Sequence, residues 1–237
     1  MGLRSSFTYN GHSSDEFDIL IDSHTSFKAA ERDYNVVEVP GRNGDLTVDN
    51  GRYKNYDVTY TCGIGYDFKN NINDFKAWLM SNIGYARLSD TYRSGYYRMA
   101  RVKNAPDPAL FVNAKGGKFD IVFDCKPQLF LTSGETTTQL TSSGSITNPT
   151  LYTSLPLIRA YGTGTLQIGG TTITINTASS YTDIDCEMQD CFKGSTNCNG
   201  KVTLSSGGFF ELSPGTNNIV LGNGITKVII TPRWWTI

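Results

Sequence analysis

Thr165-Leu-Gln-Ile-Gly-Gly-Thr-Thr-Ile-Thr-Ile175 reads as an antiparallel hairpin, and the class of the whole fold follows from it. Apolar and polar residues alternate on both arms, the period of a strand with one buried face. Gly169-Gly170 supplies the positive φ angles of a two-residue turn, and such a turn sets the register. Leu166 then pairs with Ile173 and Ile168 with Thr171, so Leu166, Ile168, Ile173 and Ile175 share one face. Gln167, Thr172 and Thr174 share the other.

The same period appears in Tyr56-Asp-Val-Thr-Tyr-Thr-Cys62, with Tyr56, Val58, Tyr60 and Cys62 inward. Further strands are expected at 7–9, 34–39, 85–89, 96–102, 118–124, 156–161, 181–188, 201–204 and 226–231. One segment breaks the pattern. Phe68, Ile72, Phe75, Trp78 and Leu79 are spaced by three and four, the period of a helix with one buried stripe, and Gly84 follows as a stop. The fold class is therefore mainly β, with one helix in the first half and no internal repeat.

Charge divides the chain. Residues 1–129 hold 16 basic and 16 acidic side chains, whereas residues 130–237 hold 5 and 6. Between the halves, residues 132–147 contain ten Ser or Thr in sixteen positions, and few apolar side chains are present to offset the entropy of ordering. Two domains are expected, residues 1–130 and 131–237, with 131–147 as a linker or surface loop.

Composition excludes several functions. A net charge of -1 cannot coat a polyanion except through a local patch. Apolar runs such as Val228-Ile229-Ile230 are far below the roughly 20 residues that a helix crossing lipid needs. The amino terminus has no apolar segment resembling a secretory signal. Met1-Gly2 with Ser6 fits only a loose myristoylation pattern, and a first strand beginning near Leu3 is the simpler reading. Five dispersed cysteines are an odd number and read as reduced thiols. Cys186, Cys191 and Cys198 lack the paired spacing that tetrahedral zinc favours.

Catalytic groups do not assemble. His12 and His24 are the only histidines, no G-x-S-x-G elbow exposes a serine, and the spacing around Gly194 and Gly200-Lys201 misses a phosphate loop. Neither an enzyme activity nor a cofactor or metal is expected. Asp183, Asp185 and Glu187 would align on one strand face, opposite Thr182, Ile184, Cys186 and Met188, and read as its solvated side. Arg93, Tyr96, Tyr97, Arg98, Arg101 and Lys103 interleave cations with aromatics, the composition of a nucleic-acid groove, of a protein interface or of a basic outer strand face. Acidic residues in the same half cancel these charges and put the nucleic-acid reading behind the other two. Trp234 and Trp235 are adjacent, so on a strand at most one can enter a core and the other needs cover.

Several stretches, in order along nearly the whole chain, resemble the distal tail proteins of long-tailed phages that infect Gram-positive bacteria. These are Ser6-Phe-Thr-Tyr-Asn-Gly11 with Ser13 to Phe17, Val37-Glu-Val-Pro-Gly-Arg-Asn-Gly44 and Asn71-Ile-Asn-Asp-Phe-Lys-Ala-Trp-Leu79. Tyr96-Tyr-Arg-Met-Ala100, Gly116-Gly-Lys-Phe119 leading to Asp124-Cys-Lys-Pro127, and Thr226-Lys-Val-Ile-Ile-Thr-Pro-Arg-Trp-Trp235 continue the series.

The resemblance implies an amino-terminal β-sandwich with a helix and a projecting β-hairpin, which assembles into a six-membered ring. It implies a carboxy-terminal galectin-like or carbohydrate-module-like β-sandwich outside that ring. Such a protein is a structural hub at the distal end of the virion tail. It joins the tail tube protein to the tail-associated tip protein, serves as a platform for receptor-binding proteins, and leaves a lumen for transient passage of DNA. Pro40, Gly41, Arg42, Asn43 and Gly44 would form the hairpin turn and, with Arg93, Tyr97 and Arg98, meet a neighbouring subunit. No large insertion interrupts the second half, which argues against an arm that grips a receptor-binding protein. The other reading is a carbohydrate-binding adhesin that contacts host cell-wall saccharide through Tyr161, Trp234 and Trp235.

Overall fold

The computed structural model describes residues 5–24, 27–64, 68–110, 116–176, 180–205 and 208–237. Leu3, the expected start of the first strand, lies outside them, and the first described strand is Phe7–Tyr9. The chain forms two compact units, Met1–Leu129 with Ile237 and Phe130–Thr236. Among the described residues no helix is long and apolar enough to cross a membrane.

The first unit is built on one curled sheet. Its strands run in the order His12–Ser13, Phe7–Tyr9, Ala86–Asp90, Tyr96–Val102, Gly117–Leu131, Tyr56–Ile64 and Ile19–His24. The longest ladder is central: Tyr56–Ile64 pairs with Cys125–Gly117 residue by residue. Strict alternation along both strands sends Tyr56, Val58, Tyr60, Cys62 and Ile64 inward beside Phe119, Ile121, Phe123 and Cys125. The helix, Phe68–Ser81, lays Phe75, Trp78 and Leu79 on this layer, all buried.

Aromatic rings hold the helix down. Phe17 stacks on Trp78 at 5.0 Å between centroids, and Phe75 meets Phe119 edge-on at 5.8 Å. The Trp78 indole Nε1 donates to the Tyr9 carbonyl at 3.2 Å, so burying the ring leaves no orphan donor. Gly84 does not take the left-handed conformation of a helix-ending glycine. Instead the Asn82 amide donates to the Gly84 carbonyl at 2.7 Å and to the Tyr9 hydroxyl at 3.0 Å, tying the exit to the core.

The second unit is a sandwich of two sheets. One contains Thr138–Leu140, Ile225–Thr231, Leu157–Gly162, Tyr181–Asp185, Asp190–Lys193 and Thr196–Asn197 in spatial order. The other contains Gly144–Asn148, Gly215–Leu221, Gly164–Ile168, Thr171–Ile175 and Val202–Leu204. Ile158, Ala160, Ile184, Val228 and Ile230 from the first meet Ile146, Leu166, Ile168, Ile173, Ile175 and Ile219 from the second in one buried cluster.

The Gly164–Ile175 hairpin has the register read from its sequence, Leu166 opposite Ile173 and Ile168 opposite Thr171. Only Gly169 takes a positive φ, 58°, so the φ pattern is that of a II′ rather than a I′ turn.

Residues 131–147 are not a linker. Thr138–Leu140 pairs with the Ile225–Thr231 strand and Gly144–Asn148 with Gly215–Leu221, so this stretch closes both sheets. A segment with few apolar residues can do this because edge strands need only one or two inward side chains; here Ile146 is buried and Leu140 packs on the core. Gly134 lies so close to the backbone of Trp234 that a Cβ would come within 2.3 Å of the Trp234 nitrogen, which only glycine permits.

Among the longer strands that alternation did not reveal are Ile19–His24, Leu46–Tyr53 and Gly215–Leu221. The second contains Asn50-Gly51, which reads as a turn but is accommodated as an irregularity in the pairing. The register shifts between Asp33 and Tyr34, and Gly51 takes φ 72°.

Removing the Phe75 ring should test the helix contact. Phe75 is fully buried, so Phe75→Ala is expected to lower unfolding free energy by about 3–5 kcal/mol, read by urea denaturation.

Candidate functional site

The feature that the cores do not explain is a two-stranded hairpin, Arg32–Val37 with Leu46–Tyr53, which forms a sheet of its own. Apart from Asp33 and Tyr53, its residues are exposed. They are nonetheless apolar near the tip: Tyr34 is 48% exposed, Val36 54%, Val37 44%, Leu46 43% and Val48 47%. The register puts Val37 opposite Leu46 and Asn35 opposite Val48 on one face, with Val36 opposite Thr47 and Tyr34 opposite Asp49 on the other. Both faces therefore present β-branched or aromatic surface to solvent in the single chain.

An isolated two-stranded hairpin is marginal in water, so its shape has to be held locally. Polar groups do this at the base. Arg32 reaches Asp49 through Nη2 at 2.6 Å and Nε at 3.0 Å, and Arg52 Nε reaches Asp33 at 2.7 Å. The Arg32 guanidinium also lies over the Tyr53 ring at 4.9 Å. Asp49 accepts the Gly51 backbone N–H at 2.9 Å, and together these donors hold its carboxyl below the usual carboxylate range, the Arg32 hydrogen bond being the largest cause.

At the tip, Val39-Pro40-Gly41-Arg42 forms a turn closed by Arg42 N to Val39 O at 3.1 Å, with Gly41 at φ 82°. Proline second and a positive-φ glycine third are the requirements of a type II turn. Gly44 supplies a further positive φ of 80°. Arg42 and Asn43 are exposed there.

The other expected contact residues do not form one surface. Arg98 is a correction: it is 3% exposed and points into the core beside Ala100. Its guanidinium lies 3.9 Å from the Asp90 carboxylate, whose Oδ2 already accepts the Tyr60 hydroxyl at 2.5 Å, and Arg98 Nε and Nη1 find no acceptor among the described residues. The period of two carried this signal, since Ala100 and Val102 mark the inward face on which Arg98 falls. Tyr97 lies on the opposite face under the Arg87 guanidinium, 3.9 Å from its centroid, and Arg93 covers Phe27 at 4.8 Å. Arg101 and Lys103 reach Asp124 and Asp57 at 2.8 and 2.6 Å, so their charge is locally compensated.

The expected saccharide contacts also disperse. Trp234 is buried in the core of the second unit, and Trp235 packs on Tyr152 at 4.5 Å while its Nε1 donates to the Thr153 carbonyl at 2.9 Å. Tyr161 is half-buried with the Lys227 ammonium 4.0 Å from its ring centroid. No aromatic platform results from these three residues.

Asp183 and Asp185 are not a solvated face, for each is 4% exposed. Arg159 binds Asp183 through two hydrogen bonds at 2.7 and 2.9 Å, and Arg233 binds Asp185 through two at 2.8 and 2.9 Å. Met188 is 72% exposed because the strand ends at Asp185 and the chain turns, with Gln189 at φ 54°. Among the described residues no three His, Cys, Asp or Glu side chains form a metal-binding group.

No protein-family model and no curated protein matches the sequence. Solved structures do match the fold. The Dit protein of phage SPP1, described as a paradigm of the hub adsorption apparatus in phages infecting Gram-positive bacteria, superposes with a TM-score of 0.77 at 12% identity. The match covers 98% of this chain and 99% of that chain. A chain of the phage P2 baseplate in its activated conformation with calcium gives a TM-score of 0.55 at 11% identity, over 97% of each chain. The phage p2 baseplate with strontium gives 0.51 at 10% identity over 96% of each. The chain thus shares, over nearly its whole length, the fold of Dit and of these baseplate chains.

The Asp185 pair makes a pH prediction. Burial would raise this carboxyl, but hydrogen bonds from Arg233 and from the Met188 and Glu187 N–H groups outweigh it and hold the carboxyl below its ordinary value. Its contribution is then fully present above the unfolded-state value of about 3.9 and is lost as pH falls through the lower folded value. Asp185→Asn should therefore destabilise the protein at pH 7, with the gap from wild type closing in acid below about pH 4. Urea midpoints measured across that range check it.

Proposed function

We propose that this chain is a structural hub of a phage tail tip, located at the distal end of the virion tail. The single observation that carries this is a match to Dit that spans both units of the chain from end to end. In this reading the amino-terminal domain expected over residues 1–130 closes into a hexameric ring. The ring joins the tail tube to the tip protein and leaves a channel for DNA. The carboxy-terminal domain expected over residues 131–237 is displayed outside the ring.

The chemistry of the hairpin supports the reading. Its faces are apolar near the tip and ion-paired at the base, so a neighbour can cover Val36, Val37, Leu46 and Val48 without stripping charges of their partners. A head-to-tail contact between unlike surfaces makes a closed ring when the rotation per subunit closes. Pro40–Gly44 then meets the neighbouring subunit at the far end of that contact. A role of this kind needs shape and complementary surface rather than a nucleophile or an acid/base pair.

Native mass spectrometry and negative-stain images of the protein, alone and mixed with the tail tube and tip proteins, test the proposal. Sixfold rings with a central hole are expected. Val36→Asp with Val48→Asp should abolish them while leaving the unfolding midpoint near that of wild type, because both side chains are about half exposed in the single chain. A wild-type chain that stays monomeric at high concentration and with both partners, or a double variant that still forms rings, would overturn it.

A further inference from the structure

Five free cysteines are all buried, and three of them, Cys186, Cys191 and Cys198, belong to the core of the second unit. Their positions in the sheet are not equivalent. Asp190–Lys193 and Thr196–Asn197 form a hairpin in which Lys193 pairs with Thr196 and Phe192 with Asn197. One step further from the turn, Cys191 stands opposite Cys198, and Cys198 N donates to Cys191 O at 2.7 Å. We propose that Cys191 and Cys198 are a disulfide-forming pair, an oxidisable dithiol built across the edge of the six-stranded sheet.

Geometry carries the assignment. The single Cys198 N–H to Cys191 O bond sets the two residues across from one another, the Cys191 N–H going instead to Asn199 Oδ1 at 2.7 Å. Opposed residues of an antiparallel pair have Cα atoms about 4.5–5.5 Å apart, inside the roughly 4.4–6.8 Å span that a disulfide bridges. Both side chains also lie on the inward face, at 1% and 4% exposure, so the two sulfurs are on the same side of the sheet. Cys186 is the competing partner. It lies past Asp185, where the strand that pairs with Asp190–Lys193 ends, and so stands opposite no residue of that strand. Cys62 and Cys125 have no such option, since they stand opposite Phe119 and Tyr56.

Access to the pair comes from the edge. Thr196–Asn197 is a two-residue outer strand with both residues exposed, and it is reached through a turn in which Gly194 takes φ 58°. Burial pushes the Cys191 thiol up to about 11, so exchange requires this short edge to open first. The oxidant is a small-molecule disulfide. One cysteine thiolate attacks it to give a mixed disulfide and release one reagent thiol; the second cysteine thiolate then displaces the other. The protein loses two electrons and two protons, and the reagent is reduced to two thiols. The product closes a short loop and fastens the edge strand to its neighbour.

The full-length chain treated with oxidised glutathione under native conditions, alkylated and digested with trypsin without reduction, tests the proposal. Cleavage after Arg159, Lys193 and Lys201 puts Cys191 and Cys198 in separate peptides. Those peptides should stay joined until reduction in the wild type and in Cys186→Ser, and should separate in Cys191→Ala. The oxidised protein should unfold at a higher temperature than the reduced one, a shift absent from Cys198→Ala. Joined peptides in Cys191→Ala would assign the bond to Cys186 and overturn the pairing. Five thiols still titratable in the wild type after oxidation would overturn the site altogether.

Discussion

The ladder between Tyr56–Ile64 and Gly117–Cys125 is the constraint on which the first unit depends. It joins residues about sixty positions apart, so its chain-entropy cost has to be met by what it buries. Alternation of side-chain direction on both strands lets it bury an aromatic and aliphatic layer. Phe7, Tyr60 and Phe123 pack within this layer at 5.5 to 5.9 Å between centroids, and the helix adds Phe75 and Trp78 from above. The exposed hairpin leads into the same ladder, since only Lys54 and Asn55 separate Tyr53 from Tyr56.

That short connection explains how a marginal element keeps a defined shape. The base of the hairpin is held where Arg32, Asp33, Asp49 and Arg52 pair across strands, and Lys54 N donates to the Glu31 carbonyl at 2.8 Å. Exposed ion pairs of this kind contribute little singly, on the order of 0–1 kcal/mol. Their value lies in register: a one-residue slip would exchange the two faces and dismantle every pair. The apolar tip is thus presented in one orientation without any core of its own.

In the second unit the same physics operates with the opposite outcome. Asp183 and Asp185 are buried rather than presented, each neutralised by an arginine that comes from elsewhere in the chain. Arg233 takes φ 57°, and its backbone N–H donates to the Gly134 carbonyl at 2.8 Å. A residue outside the usual backbone regions persists when its surroundings over-determine it. Here two hydrogen bonds to Asp185 and the close approach of Gly134 do so.

The β class, the helix beginning at Phe68 and the register of the Gly164–Ile175 hairpin were legible in the residues themselves, whereas the hairpin turn at Pro40–Gly44 came from the family resemblance. The first three rest on local periodicity or on φ preferences that need no distant partner. The roles of Arg98, Asp183, Asp185, Trp234 and residues 131–147 were not legible in that way. Alternation says that a side chain faces inward or outward, but not what faces it, and a charged residue is buried only where a distant chain segment brings its counter-charge. The exposed apolar tip of the hairpin belongs to the same class. Val36 and Val48 are apolar, and only the tertiary structure shows that they stand about half exposed, at 54% and 47%.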